Sequence, residues 1–193
     1  DAESEWLNAQ LDECAEGTLP DLYRRWLARH APETTMMSTT RGQFALPGEG
    51  DGRRVDPILG RFLGDYDATA ALYNRAIEET GGTQAALRTS QGELPFAVIL
   101  ERDGHLLRGN LRVDGDHLLA EEDDWPLASG GALPLDALRA SGVRAIAGKA
   151  LVLVLQVRLG GDGRALALPE RGSLYMPAAR RFEQLLLGTW DGV

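Results

Sequence analysis

The chain has 193 residues, 44% of them apolar and 25% charged, with one cysteine and a formal charge of −9. That length buries a core without covalent staples. A lone Cys14 excludes an internal disulfide and a cysteine-cluster metal site, and the acidic balance argues against general binding of nucleic acid or an anionic membrane.

No run approaches the ~18 apolar residues of a membrane span, and the opening residues do not read as a signal peptide. The expected location is therefore the cytoplasm. Asp1 in place of Met is what a missing leader, tag or upstream domain leaves. Residues 1–95 carry 16 carboxylates and nine arginines, whereas 96–193 carry 13 carboxylates and 11 bases. Of the 20 basic residues 19 are arginine, and Lys149 is the single lysine. A GC-rich coding sequence gives such a bias, and against it the single lysine is either chance or a position where arginine would not serve.

In chain order, Ser4 to about Glu16 reads as a helix with Trp6, Leu7, Gln10, Leu11 and Cys14 along one side. Gly17 ends it. Thr18 to Asp21 resembles a capping box for a second helix to about His30, burying Leu22, Tyr23, Trp26 and Leu27. The two form an αα-hairpin. Residues 31–55 are polar and turn-rich, as expected of a mobile loop, a binding lid, or a connection hiding a short strand such as Gln43–Leu46. Asp56-Pro57 starts a helix, with Asp as N-cap and Pro in the first turn. Ile58, Leu59, Phe62 and Leu63 form its inner side. Gly64-Asp65 interrupts, and a longer helix follows over 66–80 with Leu72, Tyr73, Ala76 and Ile77 inward. Residues 83–89 read as another short helix.

From Pro95 the apolar period becomes two. Phe96–Glu101 and Leu106–Val113 flank Asp103-Gly104, a strong hairpin dipeptide. Pairing across it opposes Leu100 to Leu107, Val98 to Gly109 and Phe96 to Leu111. A turn at Asp114-Gly115-Asp116 returns the chain through His117–Ala120, giving a β-meander. Glu121 to Pro126 leave the sheet. Pro134 opens a helix over Leu135 to about Ala140, ended by Gly142. The most apolar run, Ala150–Leu159, then reads as a central strand. It pairs across Gly160–Gly163 with Arg164–Pro169 in a hairpin that opposes Val157 to Leu166 and Leu155 to Leu168. A last helix from Ser173 or Pro177 to Leu187 buries Phe182, Leu185 and Leu186.

Helices, then an antiparallel sheet of about five strands (a meander plus a hairpin), then a closing helix form an α+β pattern. The expected organisation is one domain over 1–193, mainly helical over 1–94 and sheet-forming over 95–193.

Few chemical motifs stand out. Gly142 to Lys149 resembles a P-loop, but five residues separate the glycines where four are required. Ala150 stands where Ser or Thr should bind the metal, and a strand is expected to follow where a helix is required. His105 and His117 fall at opposite ends of one strand, roughly 25 Å apart, too far to share an ion. Glu121–Asp124 reads as a solvated acidic loop in preference to a cation site. No metal or cofactor is expected.

The hairpin register instead brings Lys149 close to Arg171, Ser173 and Leu174, with Tyr175 following, at the start of the last helix, where free amides and the helix dipole attract anions. That cluster suits a phosphate or carboxylate, although an ion pair with Glu170 explains the same charges. A second candidate is the loop Arg88, Ser90 and Glu93, entering the first strand of the meander.

Two functional readings follow. One is a non-catalytic binding or protein-interaction module. The other is a small-molecule enzyme or ligand-binding protein with its anion site at Lys149, Arg171 and Ser173. The expected partner is a protein or an anionic small molecule, not nucleic acid or membrane.

Overall fold

An aspartate before a proline and an apolar pair dictates the first element described in full. The Asp56 carboxylate accepts the amides of Ile58 and Leu59, both at 2.9 Å. Together with Pro57 it starts helix α1, Pro57–Gly64. Asp65 closes that helix and opens the next, α2, Tyr66–Thr80. Its own amide donates to Arg61 O at 3.0 Å, while its carboxylate accepts the Ala68 amide at 3.2 Å. Two helices sharing one capping residue form a tight corner. Gly81 ends α2 in the left-handed region, as helix C-termini favour.

The computed structural model describes residues 4–6, 8–9, 25–26, 28–29, 44–46, 56–159 and 174–188. The chain divides into two compact units, 1–43 and 44–193. In the first, residues 4–6, 8–9, 25–26 and 28–29 are helical. The Arg29 guanidinium sits 5.0 Å over the Trp6 ring, so the two helical stretches meet, as an αα-hairpin requires.

The second unit is α+β. Its five-stranded antiparallel sheet comprises β1 (Glu93–Arg102), β2 (His105–Asp114), β3 (His117–Ala120), β4 (Asp123–Pro126) and β5 (Val143–Gly148), in the order β4-β3-β2-β1-β5. Helix α3, Leu135–Ala140, lies between β4 and β5 in sequence; α4 covers Ala150–Leu159 and α5 Met176–Gly188. The β1–β2 register pairs Leu100 with Leu107 and Val98 with Gly109, and the ladder shifts between Glu93 and Ala97.

Three expectations change. Ala150–Leu159 is a helix, not a strand, so the hairpin it was to open does not form; its expected partner, 164–169, and the turn 160–163 lie outside the described residues. The run lacks alternation, and short apolar runs are ambiguous between strand and buried helix. Leu151, Val152, Val154, Leu155 and Gln156 are all buried, as in a helix surrounded by protein. The fifth strand is instead Val143–Gly148. Residues Asp123–Pro126 do not leave the sheet but form its edge strand, with Leu118 paired to Trp125. Residues 83–89 do not form a helix: only a 3-10 turn, Thr89–Gln91, follows. The Asn74 side chain takes both backbone groups of Leu87, at 2.7 and 3.1 Å, where helical partners would otherwise stand.

Within residues 31–55, Phe44–Leu46 runs along the outer edge of β5. Ala45 bridges Ala145, Leu46 N donates to Arg144 O and Ile146 N to Phe44 O. The expected short strand exists there as a bridge, and it shields a sheet edge.

Alternation sorts the sheet into two faces. Phe96, Val98, Leu100, Leu111, Leu118 and Trp125 face the helices and are buried. Phe62 sits at the centre of that core, with Phe96 at 5.9 Å, Phe182 at 6.3 Å and Tyr73 at 6.4 Å between ring centroids. Such pairs add ~0.5–1.5 kcal/mol each beyond the area they bury. Burial pushes the Tyr73 phenol up to about 12. The opposite face carries Arg108, Asn110 and Arg112, all exposed.

Candidate functional site

β1 begins and β2 ends at the same end of the sheet. There the α1–α2 corner, the 88–93 loop, the last residues of β2 and the turn at Asp114-Gly115 surround a groove of about 790 Å³. Its volume falls in the range of small-molecule sites.

The loop wall is fastened at several points. Asn74 clamps Leu87. The Arg88 side chain and backbone amide both donate to Glu93 Oε2, at 3.0 and 3.2 Å. Tyr66 Oη donates to Glu93 O at 3.0 Å, and Val113 N to Gly92 O at 2.8 Å. Gly92 has φ +62°, and a Cβ there would stand 1.7 Å from Val113 O. A loop held this way presents its side chains from a fixed frame.

The lining carries charges of both signs: Asp65, Asp67, Glu93 and Asp114 against Arg88 and Arg112. Ser90 and Asn110 add neutral donors and acceptors. Burial pushes Glu93 up, but the hydrogen bonds and charge of Arg88, with the charge of Lys149, outweigh it and hold the carboxyl below its usual range.

Lys149 stands beside this groove. Its amide donates to Pro95 O at 2.8 Å, continuing the ladder past Gly148, which pairs with Phe96. Gly148 packs on α4: a Cβ there would meet Gln156, Val152 and Leu153 within 2.8 Å. Alternation therefore turns Lys149 to the face of Arg108. The side chain is half-buried. Burial lowers its pKa, Glu93 opposes that, and Arg108 and Arg88 lower it further. The Lys149 carbonyl accepts the Val152 amide at 3.0 Å, so the residue also caps α4. A helix therefore follows Lys149 where a strand was expected. The P-loop likeness still fails, because residues 143–148 form a buried strand and no phosphate-cradling loop.

Of the first candidate cluster, Lys149 alone is placed near the second. Arg88, Ser90 and Glu93 line one groove, and Arg88 and Glu93 are charges that act on Lys149. Arg171 and Ser173 lie outside the described residues. Tyr175 is a half-buried residue preceding α5, whose carbonyl accepts the Ala179 amide; no described contact joins it to Lys149. Sequence reasoning missed Arg108, Asn110 and Arg112. Their signal was present as polar residues at period two in a strand whose other face is apolar.

Two residues of the acidic run, Asp123 and Asp124, have local partners. Asp123 receives Arg102 at 2.5 Å and Asp124 meets His117 Nδ1 at 2.6 Å.

No protein-family model matches the chain, and no match is found among curated proteins or solved structures.

Proposed function

We propose that the chain is a non-catalytic binding domain and that the groove between the α1–α2 corner and the 88–93 loop takes a small polar molecule. The observation that carries this reading is the mixed-charge lining on a fastened wall: hydrogen bonds at Leu87, Gly92 and Glu93 hold the loop in place. Pre-formed walls with a few placed polar groups are what small-molecule sites need. The acidic chain and a groove lined by four carboxylates and two arginines also make a small polar ligand a better fit than nucleic acid.

A second reading, a ligand-converting enzyme, is favoured by Lys149 alone. A half-buried lysine with a lowered pKa is the state in which an amine acts as base or nucleophile.

Ser90→Trp tests the binding reading. The residue is exposed on the loop, so the indole enters the groove without entering the core. In a ligand-observed NMR screen of polar metabolites, the wild type is expected to retain binders that Ser90→Trp loses. Equal binding by both proteins would contradict the reading. Reductive trapping of carbonyl compounds on Lys149 would favour the enzyme instead.

A further inference from the structure

We infer that the outer edge of β2, from Leu106 to Asn110, docks an extended peptide segment of another protein, one with a carboxylate opposite Arg108 and apolar residues opposite Leu106 and Leu107. The edge shares Asn110 with the groove but does not rest on the reading above.

The register leaves half of β2 without an outer neighbour. Across the two-residue turn Asp103-Gly104, Arg102 and His105 exchange hydrogen bonds. The odd-numbered residues of β2 therefore turn their N–H and C=O towards β1, and the even-numbered ones turn theirs away. Val113 N donating to Gly92 O keeps that alternation to the end of the strand. β3 takes the outward groups at Arg112 and Asp114, paired with Leu119 and His117, and reaches no further along the edge. Leu106, Arg108 and Asn110 thus hold their N–H and C=O groups outward, with no hydrogen-bond partner among the described residues.

This stretch is roughly 16 Å long at about 3.3 Å per residue. His105, Leu106, Leu107, Arg108 and Asn110 are all exposed, the two leucines by 54% and 49%. Proteins ordinarily cover or blunt such an edge. Here Phe44–Leu46 covers β5, and acids and Pro126 blunt β4, while the first half of β2 has neither device.

Alternation sets the chemistry of the occupant. An added strand exchanges backbone bonds with Leu106, Arg108 and Asn110 and lays its side chains beside theirs. Leu106 and Arg108 share one face and Leu107 lies on the other. Apolar residues cover the leucines, and a carboxylate meets Arg108, for which the described residues hold no salt bridge. At Gly109 a Cβ would stand 3.4 Å from Ala120 Cβ and 3.5 Å from Glu121 Cγ, so a small residue suits that position. A second copy of the chain suits the edge less well. Two-fold pairing about Leu107 sets the Asp103-Gly104 turn of one copy at Asn110 of the other, by the turn of Glu121 and Glu122. Pairing about Arg108 opposes two guanidinium groups. Each copy also carries a formal charge of −9.

The test is fluorescence anisotropy with fluorescein-labelled Thr-Ser-Glu-Val-Val-Thr-amide, which in antiparallel register meets Asn110 to His105 in turn. Two control peptides carry lysine for the glutamate, or an N-methyl group on the glutamate amide. The proteins are the wild type, Arg108→Glu, Arg108→Pro and Ser90→Trp. Arg108→Pro removes an outward N–H and leaves the β1 ladder whole. Melting temperatures establish folding, and Arg108→Glu, a change of an exposed charge, carries the test if the proline variant does not fold.

The wild type is expected to bind the glutamate peptide roughly fivefold or more tighter than the lysine peptide, and not to bind the N-methylated one. Arg108→Glu is expected to reverse the ranking, Arg108→Pro to lose binding and Ser90→Trp to keep it. No binding at about 1 mM glutamate peptide overturns the inference. So does equal binding of the N-methylated peptide, or an unchanged ranking in Arg108→Glu. Loss in Ser90→Trp would put the peptide in the groove and overturn the edge. A wild-type dimer in sedimentation that Arg108→Glu dissolves would assign the edge to a second copy and overturn the peptide.

Discussion

Gly92 lies so close to the Val113 carbonyl that a Cβ on it would stand 1.7 Å from the oxygen. The contact joins the start of β1 to the end of β2 and sets the back of the groove. It also combines two demands that only glycine meets: a left-handed φ of +62° and a neighbour made of backbone, which cannot move aside. Gly92→Ala is expected to destabilise the fold by about 2 kcal/mol or more, since strain at positive φ and steric overlap add. Chemical denaturation of the variant measures this. A loss under about 0.5 kcal/mol, the range of an ordinary surface change, would contradict the described geometry.

Glu79 ties α2 to α5. Hydrogen bonds from Arg181 and from Arg75, the latter at 2.7 Å, hold its carboxyl at about 2 instead of 4.5. A folded pKa below the unfolded one gives stability that is present above 4.5 and lost as pH falls towards about 2. Carboxyl-carbon NMR should place the Glu79 midpoint near 2 and move it upward in Arg181→Ala. An ordinary midpoint in the wild type would remove this link.

His117 shows the opposite sign. Asp124, by hydrogen bond and then by charge, raises its pKa above 6.5, with help from Asp116 and Asp114. The contribution is full below 6.5 and fades as pH rises through the higher folded value. An imidazole titration by NMR should give a midpoint above 6.5 that falls in Asp124→Asn. An unchanged midpoint would mean that the edge strand β4 does not hold Asp124 against His117.

At Asp56 capping and burial compete. Burial raises its pKa, while the amides of Leu59 and Ile58 stabilise the carboxylate. Because burial wins, the neutral isostere should serve as well. Asp56→Asn is expected to keep the melting temperature or raise it at pH 7. Asp56→Ala, which loses the cap, should cost ~1 kcal/mol. Equal losses in both would show that the charge itself matters.

Much of this architecture is legible in the residues. Asp56-Pro57 names the start of α1, Asp103-Gly104 fixes the register of Leu100 with Leu107, and Gly142 ends α3. These signals are local, so the tertiary fold does not override them. The misread parts are those that tertiary context decides. Ala150–Leu159 is apolar nearly throughout, and its period could not separate strand from helix; packing of Gln156 and Val152 on Gly148 does. Val143–Gly148 hid because Ala145, Ala147 and Gly148 are small residues buried at the sheet, without the alternation of a half-exposed strand. Asp123–Pro126 hid because acids and proline are poor strand formers, although Arg102 and His117 satisfy those acids. The site was legible in two pieces. Lys149 stood out by composition and Arg88–Glu93 by position, but their meeting depends on β5 pairing with β1, which no local pattern encodes.

The central claim is tested most directly by a proton–nitrogen correlation spectrum of the whole chain during titration with a polar binder recovered in the ligand-observed screen. The expected result is saturable shifts confined to the amides of Asp65–Asp67, Arg88–Glu93 and Asn110–Gly115, together with the Arg88 side chain. Shifts centred elsewhere, or none at millimolar ligand, would contradict it.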